Sequence, residues 1–325
     1  MGNKLVTILA VVYNQYKYID DFMYSALNQS YENIEIIIAD DCSTDGSYEK
    51  VLGWKEQLEA RFVQVTIIQT PHNMGIVGNI NNALPYVNGE YFKWIACDDI
   101  LLPSAVEDLL EYLENNPEYG MVYSNYYQCT ERDNYEKFIL QQHEVYKSKV
   151  IAEQEQYAQA LYENDFIVAP TVMVRWNIVN DPGFFDEDIG VEDWGAWIEI
   201  ALKHKIGYLD KVTAAYRVVE NSLSHFTPDE AGRTRLKNMV VNEIKILDKY
   251  KNCPKIKPER GIFACCEQAI SIAIDLEAKD VIELTRQYAK KNKVHFSFKM
   301  MLKYQLYRLH IIPGVQVVMN KWISK

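Results

Sequence analysis

The 325-residue chain contains no run of eighteen or more apolar residues, which excludes a helix long enough to cross a bilayer. Its six cysteines show neither the paired spacing of a zinc site nor a disulfide framework, so a reducing cytosol suits them. A basic footprint is missing as well. The formal net charge of −11 argues against general nucleic-acid binding. Met1-Gly2-Asn3-Lys4 leads straight into a strand pattern rather than the apolar core of a signal peptide. The last deficit is local: Asp and Glu are absent from Leu284 to Lys325. That stretch carries Arg286, Lys290, Lys291, Lys293, Lys299, Lys303, Arg308, Lys321 and Lys325, an asymmetry that suggests a tail meeting an anionic surface.

What is present reads as an α/β domain. Leu5–Val12, Ile34–Ala39, Val65–Gln69 and Tyr91–Ala96 are apolar strands separated by helical patterns over 19–27, 47–60 and 79–86. Uninterrupted Val/Ile/Leu strands joined by helices predict a mostly parallel sheet covered on both faces. Ser104 followed by Glu107 reads as a capping box before a helix. Gly120–Ser124 reads as a strand, 125–149 as a loop or hairpin, and Phe166–Arg175 as another strand. Trp194–Leu202 is an amphipathic helix. Beyond about residue 226 the pattern is helical throughout.

Three adjacent acidic pairs stand at element ends. Asp40-Asp41 closes the second strand, Asp98-Asp99 closes the strand Tyr91–Ala96, and Glu192-Asp193 opens the helix Trp194–Leu202. Each pair alone suits a helix start, where acids are favoured. Two anions at the end of a buried strand, however, repel each other unless a cation or a ligand compensates them. The C-terminal ends of parallel strands are also where open α/β sheets bind ligands.

The motifs Val11-Val12-Tyr13-Asn14, Ala39-Asp40-Asp41-Cys42-Ser43-Thr44-Asp45, Asn73-Met74-Gly75, Cys97-Asp98-Asp99 and Glu192-Asp193-Trp194 resemble, in order and spacing, the inverting family 2 glycosyltransferases over about the first 225 residues. The resemblance implies a GT-A fold, a Rossmann-like α/β sheet flanked by helices, with a C-terminal helical extension. The catalytic domain would cover 1–225, with a nucleotide-binding half at 1–103 and an acceptor-binding half at 104–225. A helical region with a basic amphipathic tail would fill 226–325.

The resemblance further implies a nucleotide-diphospho-sugar donor, UDP by default, contacted by Val11, Tyr13, Asp40, Asn73, Gly75 and Asp98. Asp99 would ligate Mn²⁺ or Mg²⁺, and Asp193 would be the general base. Glu192, Trp194, Arg217 and His225 are candidates for acceptor or diphosphate contacts. The acceptor would be a lipid-linked saccharide of surface polysaccharide synthesis, with the protein peripheral at the inner face of the cell membrane. The helical region would suit a homodimer contact as well as packing on the domain.

The chain departs from the family pattern at Ile80, where an Arg is common, and at Val219, where a His is common. Those departures leave room for a non-catalytic partner subunit. A sugar-1-phosphate nucleotidyltransferase fits less well, because the first strand runs into Val12-Tyr13-Asn14-Gln15 without a Gly-rich phosphate loop.

Overall fold

The computed structural model describes residues 3–219 and 226–309, which form two compact units. His225 and the apolar stretch 315–323 lie outside the described residues. The first unit comprises residues up to Leu161 together with Asp165–Val219. Its parallel half is built from β1 (Val6–Val12), α1 (Ile19–Leu27), β2 (Ile34–Asp40), α2 (Ser47–Gly53), α3 (Lys55–Arg61), β3 (Gln64–Gln69), α4 (Gly75–Ala83) and β4 (Tyr91–Ala96). β1 and β2 are buried at every position, which is why, apart from Thr7, Glu35 and the terminal Asp40, they read as apolar runs rather than alternating ones. The helix expected over 47–60 is interrupted at Trp54. The next begins at Gly75, earlier than its apolar stripe suggests, with a positive φ of 75° that glycine accepts readily.

The mixed half follows, with β5 (Ile100–Leu101), α5 (Ala105–Asn115), β6 (Tyr119–Thr130), α6 (Tyr135–Ile139), α7 (Tyr157–Glu163), β7 (Met173–Arg175), α8 (Trp194–Lys203) and β8 (Lys205–Val218). Among the described residues the sheet order is β3-β2-β1-β4-β7-β6-β8-β5. β1, β2, β3 and β4 pair in parallel, β7 runs antiparallel to both β4 and β6, and β6 runs parallel to β8.

Several expectations give way here. β6 continues to Thr130, well into the stretch read as a loop, and β8 is a strand that no clean alternation announced. The two stabilise each other along almost their whole length, with register shifts near Ser124–Tyr126. The strand expected over 166–175 shortens to Met173–Arg175 behind a 3₁₀ turn at Ala169–Thr171. The capping box does not close: Ser104 Oγ donates to Asp108, and Glu107 accepts from Ser30 instead.

One apolar core lies between β1, β2 and β4 and the helices α1 and α5, and contains Ile8, Phe22, Ile36, Ile95 and Leu109. At roughly 25 cal/mol per Å² of apolar area, such a core supplies the main favourable term in folding. The second unit, Tyr162–Asn164 and Glu220–Lys325, is helical where described: α9 (Glu230–Tyr250), α10 (Pro258–Asp275), α11 (Lys279–Lys291) and α12 (Phe298–Arg308). They close around their own cluster of Leu236, Val240, Ile270, Ile274, Val281 and Met300.

Candidate donor site and acidic helix start

The parallel register fixes the first part of the site. Val12 faces Asp40 across β1 and β2, and Asp40 faces Gln69 across β2 and β3. Val11 lies opposite Ala96 on β4, and its carbonyl accepts the Cys97 amide at 3.1 Å. Tyr13, Asp40, Gln69 and Asp98 are therefore carried to one edge, at the C-terminal ends of the strands. Open α/β sheets bind ligands at this edge.

Asp40 is fully buried. Its Oδ2 accepts from the Ser43 amide (2.9 Å) and Gln69 Nε2 (3.0 Å), while its Oδ1 has no partner. A buried carboxylate oxygen without a donor is costly unless a ligand N–H reaches it. Asp41 is spent on the protein: it accepts from Thr70 Oγ1 (3.0 Å) and the Met74 amide (2.8 Å), tying the 70–74 loop to β2. Asn73 sits in that exposed loop and accepts the Gly75 amide at 3.0 Å. Tyr13 is about half exposed at 47%. Beyond it, Asn14 and Cys42 both hold left-handed backbone (φ 51° and 58°). Asn14 Oδ1 accepts the Thr44 amide (2.8 Å), which helps to offset that local strain. Val11 differs from expectation. Its side chain is buried and its carbonyl binds β4, so it holds the sheet together rather than reaching outward.

The pair Asp98-Asp99 follows β4. Burial raises the Asp98 carboxyl to about 6, against the pull of the nearby Arg217 and a hydrogen bond with Gln15. Asp99 is only 4% exposed, and burial and the adjacent Asp98 push it well above the usual carboxylate range. Its Oδ1 accepts the Arg217 amide at 2.8 Å. Lys93, six residues before Asp99, is a residue that sequence reasoning passed over. It is fully buried and donates to the carbonyls of Pro170 and Val172, and burial lowers its ammonium to about 7 while Asp99 pulls it back up. A lone lysine inside an apolar strand was the available signal. Among the described residues no cluster of three or more His, Cys, Asp or Glu could cage a metal. Carboxylate oxygens such as those of Asp98 and Asp99 are the donor type a hard divalent cation takes, together with phosphates and water.

Glu192 and Asp193 open α8. Burial, then the neighbouring Asp193, raises Glu192 to about 8. Burial also raises Asp193, although its side chain accepts the Trp194 amide (2.6 Å) as helix cap. Trp194 does not offer a face to a sugar: it is 7% exposed and its ring N–H donates to the Leu161 carbonyl (2.5 Å). Trp197, one turn past Asp193, is core. It stacks on Trp94 of β4 with ring centroids 5.0 Å apart and planes at 22°. That stack ties the strand ending at Asp98-Asp99 to the helix starting at Asp193.

Arg217 is also not free to reach a diphosphate. Its side chain is fully buried, donating to the carbonyls of Asp98, Thr130 and Asp133 and pairing with Asp21. Ile80 lies in the core, so that position supplies no phosphate ligand.

The chain is 37% identical over 112 residues to an uncharacterized glycosyltransferase of Haemophilus influenzae, covering 34% of this chain and 33% of that protein. It thus spans about a third of that relative's length. It is 25% identical to the Escherichia coli UDP-Glc:alpha-D-GlcNAc-diphosphoundecaprenol beta-1,3-glucosyltransferase WfgD, covering 69% of this chain and 81% of the relative. The fold is shared with the mannosyltransferase PcManGT of Pyrobaculum calidifontis, solved with GDP-Man and Mn²⁺. There the TM-score is 0.57 at 15% identity, covering 98% of this chain and 88% of that one. The sequence profile of the Glycosyl transferase family 2 matches residues 7–177, over half of the chain, and the protein belongs to that family.

Proposed function

We propose that the protein transfers a sugar from a nucleotide-diphospho-sugar, of the UDP class, to a hydroxyl of a lipid-linked saccharide in surface polysaccharide synthesis, with inversion at the anomeric carbon. The observation that carries this reading is the strand-end edge that gathers Asp40, with its unpartnered Oδ1, and Asp98-Asp99. Asp40 would accept the base N–H and Tyr13 would lie beside the nucleoside. Asn73 and Gly75 would approach from the loop that Asp41 holds. Asp98 would meet the ribose, and Asp99 would hold Mn²⁺ or Mg²⁺. When bound, such an ion offsets the negative charge that grows on the departing diphosphate.

Asp193 acts as the base in this reading. The acceptor oxygen forms its bond to the anomeric carbon as the bond to the diphosphate oxygen breaks. The electron pair leaves with the diphosphate, and the hydroxyl proton passes to the Asp193 carboxylate. Burial raises the Asp193 carboxyl above its ordinary range, the direction that suits a base, which is most effective when its pKa is near the operating pH. Glu192 beside it keeps its own proton to higher pH. The UDP-Glc donor and the diphosphoundecaprenol acceptor in the name of the Escherichia coli relative favour the substrate classes. The Mn²⁺ of the mannosyltransferase complex favours the metal.

Docking on an anionic membrane surface is the second element of the proposal. Among the described residues no helix is long and apolar enough to cross a membrane. α12 buries Met300 but exposes Phe298 (78%), Met301 and Leu302, with Leu309 exposed just after it and Lys299 and Arg308 exposed on the same helix. Lys303 is excluded from this set, since it is engaged with Asp275 and Ser271. Exposed apolar side chains flanked by cations suit shallow insertion at anionic headgroups.

The test is calorimetric titration of the protein with UDP, GDP and dTDP, with and without Mn²⁺, alongside Asp99→Ala. Tight binding of one nucleotide that needs both metal and Asp99 is expected. Absence of binding under every condition would instead favour a non-catalytic partner subunit.

A further inference from the structure

Arg217 is the penultimate residue of β8 and is 1% exposed, although it carries a charge. Its backbone amide donates to Asp99 Oδ1 (2.8 Å) and its Nε to the Asp98 carbonyl (2.6 Å), so both residues of the acidic pair are held by one arginine. The rest of the guanidinium turns to a different segment. Nη1 donates to the carbonyls of Thr130 and Asp133, both at 2.7 Å, and Nη2 to Asp21 Oδ2 at 3.0 Å. Asp21 completes the bridge, because its other oxygen accepts the Tyr135 amide at 2.8 Å. The guanidinium also lies 5.0 Å from the ring centroid of Tyr18, whose hydroxyl donates to Glu131 Oε1 at 2.9 Å. Four elements therefore meet on one side chain: α1, the end of β4, the turn after β6, and β8.

A lysine could not reproduce this set. The planar fork supplies donors in several fixed directions, whereas an ammonium is a single compact charge. The position of the carboxylates follows from it. Arg217 engages the Asp98 carbonyl and one Asp99 oxygen, and the Asp98 carboxylate has a hydrogen bond with Gln15, which leaves Asp99 Oδ2 and the remaining capacity of the Asp98 carboxylate for a ligand.

We infer that Arg217, with Asp21 as its counter-ion, is the positioning residue of the donor site. It sets Asp98 and Asp99 for a divalent cation and nucleotide, and it joins their geometry to the Thr130–Tyr135 turn. The inference rests on the donor-site reading given above. Arg217 touches no reacting atom; it acts through the two aspartates.

The experiment compares wild type, Arg217→Lys and Asp21→Asn in calorimetric titrations with UDP, in MnCl₂ and in EDTA, well below each variant's melting temperature. A residue that serves only stability lowers the melting temperature and leaves both titrations of the folded protein unchanged. The expected result is different: Arg217→Lys keeps the backbone N–H that holds Asp99 but loses the guanidinium N–H that holds the Asp98 carbonyl, so UDP binding weakens in EDTA and the Mn²⁺-dependent affinity falls by about 10–100-fold, the usual scale for losing a hydrogen-bond partner behind a metal site. Asp21→Asn, which keeps the shape but not the charge, loses less in the same direction. Wild-type Mn²⁺-dependent affinity in folded Arg217→Lys overturns the inference. If circular dichroism shows Arg217→Lys unfolded, Asp21→Asn decides by the same criterion. A wild-type protein with no Mn²⁺-dependent affinity overturns the donor-site reading itself, and the inference with it. The two failures are thus separated by the wild-type titration.

Discussion

Two acidic pairs of the first unit, Asp98-Asp99 and Glu192-Asp193, are alike in composition and unlike in how they are held. Asp98-Asp99 is pinned by Arg217 and lies within the field of Lys93, so protein cations partly compensate it. Glu192-Asp193 opens a helix where, among the described residues, backbone N–H groups soften its charge, and burial drives Glu192 to about 8; in the first pair burial raises Asp98 to about 6 and Asp99 well above the usual carboxylate range. A pair already gripped by the scaffold is rigid and suited to binding a cation of fixed geometry. A pair left uncompensated holds a proton close to neutral pH and is suited to exchanging one. Burial raises carboxyls in both pairs; a neighbouring protein cation is what the first pair has in addition.

The largest effect that would break this comparison is in the second pair. Asp193→Asn is expected to lower sugar transfer by about 10²–10⁴-fold, the usual contribution of a positioned base, while nucleotide affinity stays at wild type. Single-turnover transfer and calorimetry measure the two halves separately, and full activity would remove Asp193 from its role. Trp197→Ala comes next. The stack on Trp94 is what keeps the two pairs in register, and emptying it is expected to cost about 3–5 kcal/mol of stability. Urea unfolding reads that loss, and in the folded fraction transfer should fall further than nucleotide binding does.

The pH dependence sharpens the contrast. A base must be ionised, so the rate should fall as pH drops through the Asp193 pKa, which burial places above the ordinary carboxylate range. Glu192→Gln should keep that acid limb, since Glu192 is still protonated where Asp193 titrates. The same variant tests the linkage. Because the folded-state pKa of Glu192 is raised from 4.5 to about 8, the folded protein holds a proton that the unfolded chain releases, and stability is lost as pH rises through that window. Glu192→Gln should therefore melt higher than wild type above pH 8 and show little difference near pH 4. The smallest effect expected is at the second unit. Lys299→Glu should weaken binding to phosphatidylserine vesicles by about 1–2 kcal/mol, on the order of 1 kcal/mol per basic residue, with no change on neutral vesicles.

The parallel half was legible because its physics is local. Strands buried on both faces are built mostly of apolar residues, so β1, β2 and β4 could be read directly despite Thr7, Glu35 and Lys93 within them, and the acids that end β2 and follow β4 stood out. β8 was not legible. Its polar positions are tolerated because β6 pairs with it along nearly its full length, and that partner lies far away in sequence. Trp194 looked like a sugar platform from its place beside Asp193, but the Leu161 carbonyl draws its ring inward. Lys93 and Asp21 had no local motif to mark them.

By itself the sequence determined the alternation of strands and helices, the family, and which carboxylates stand at element ends. These follow from periodicity and from residue types at fixed spacing, which the chain carries wherever it folds. Only the tertiary structure decided which polar groups are already satisfied. Asp41, Trp194 and Arg217 are engaged by the protein, whereas Asp40 Oδ1 has no partner among the described residues. The reason is that hydrogen-bond satisfaction is a property of contact, and Arg217 and Asp21 meet across a separation of 196 residues that no spacing rule can span.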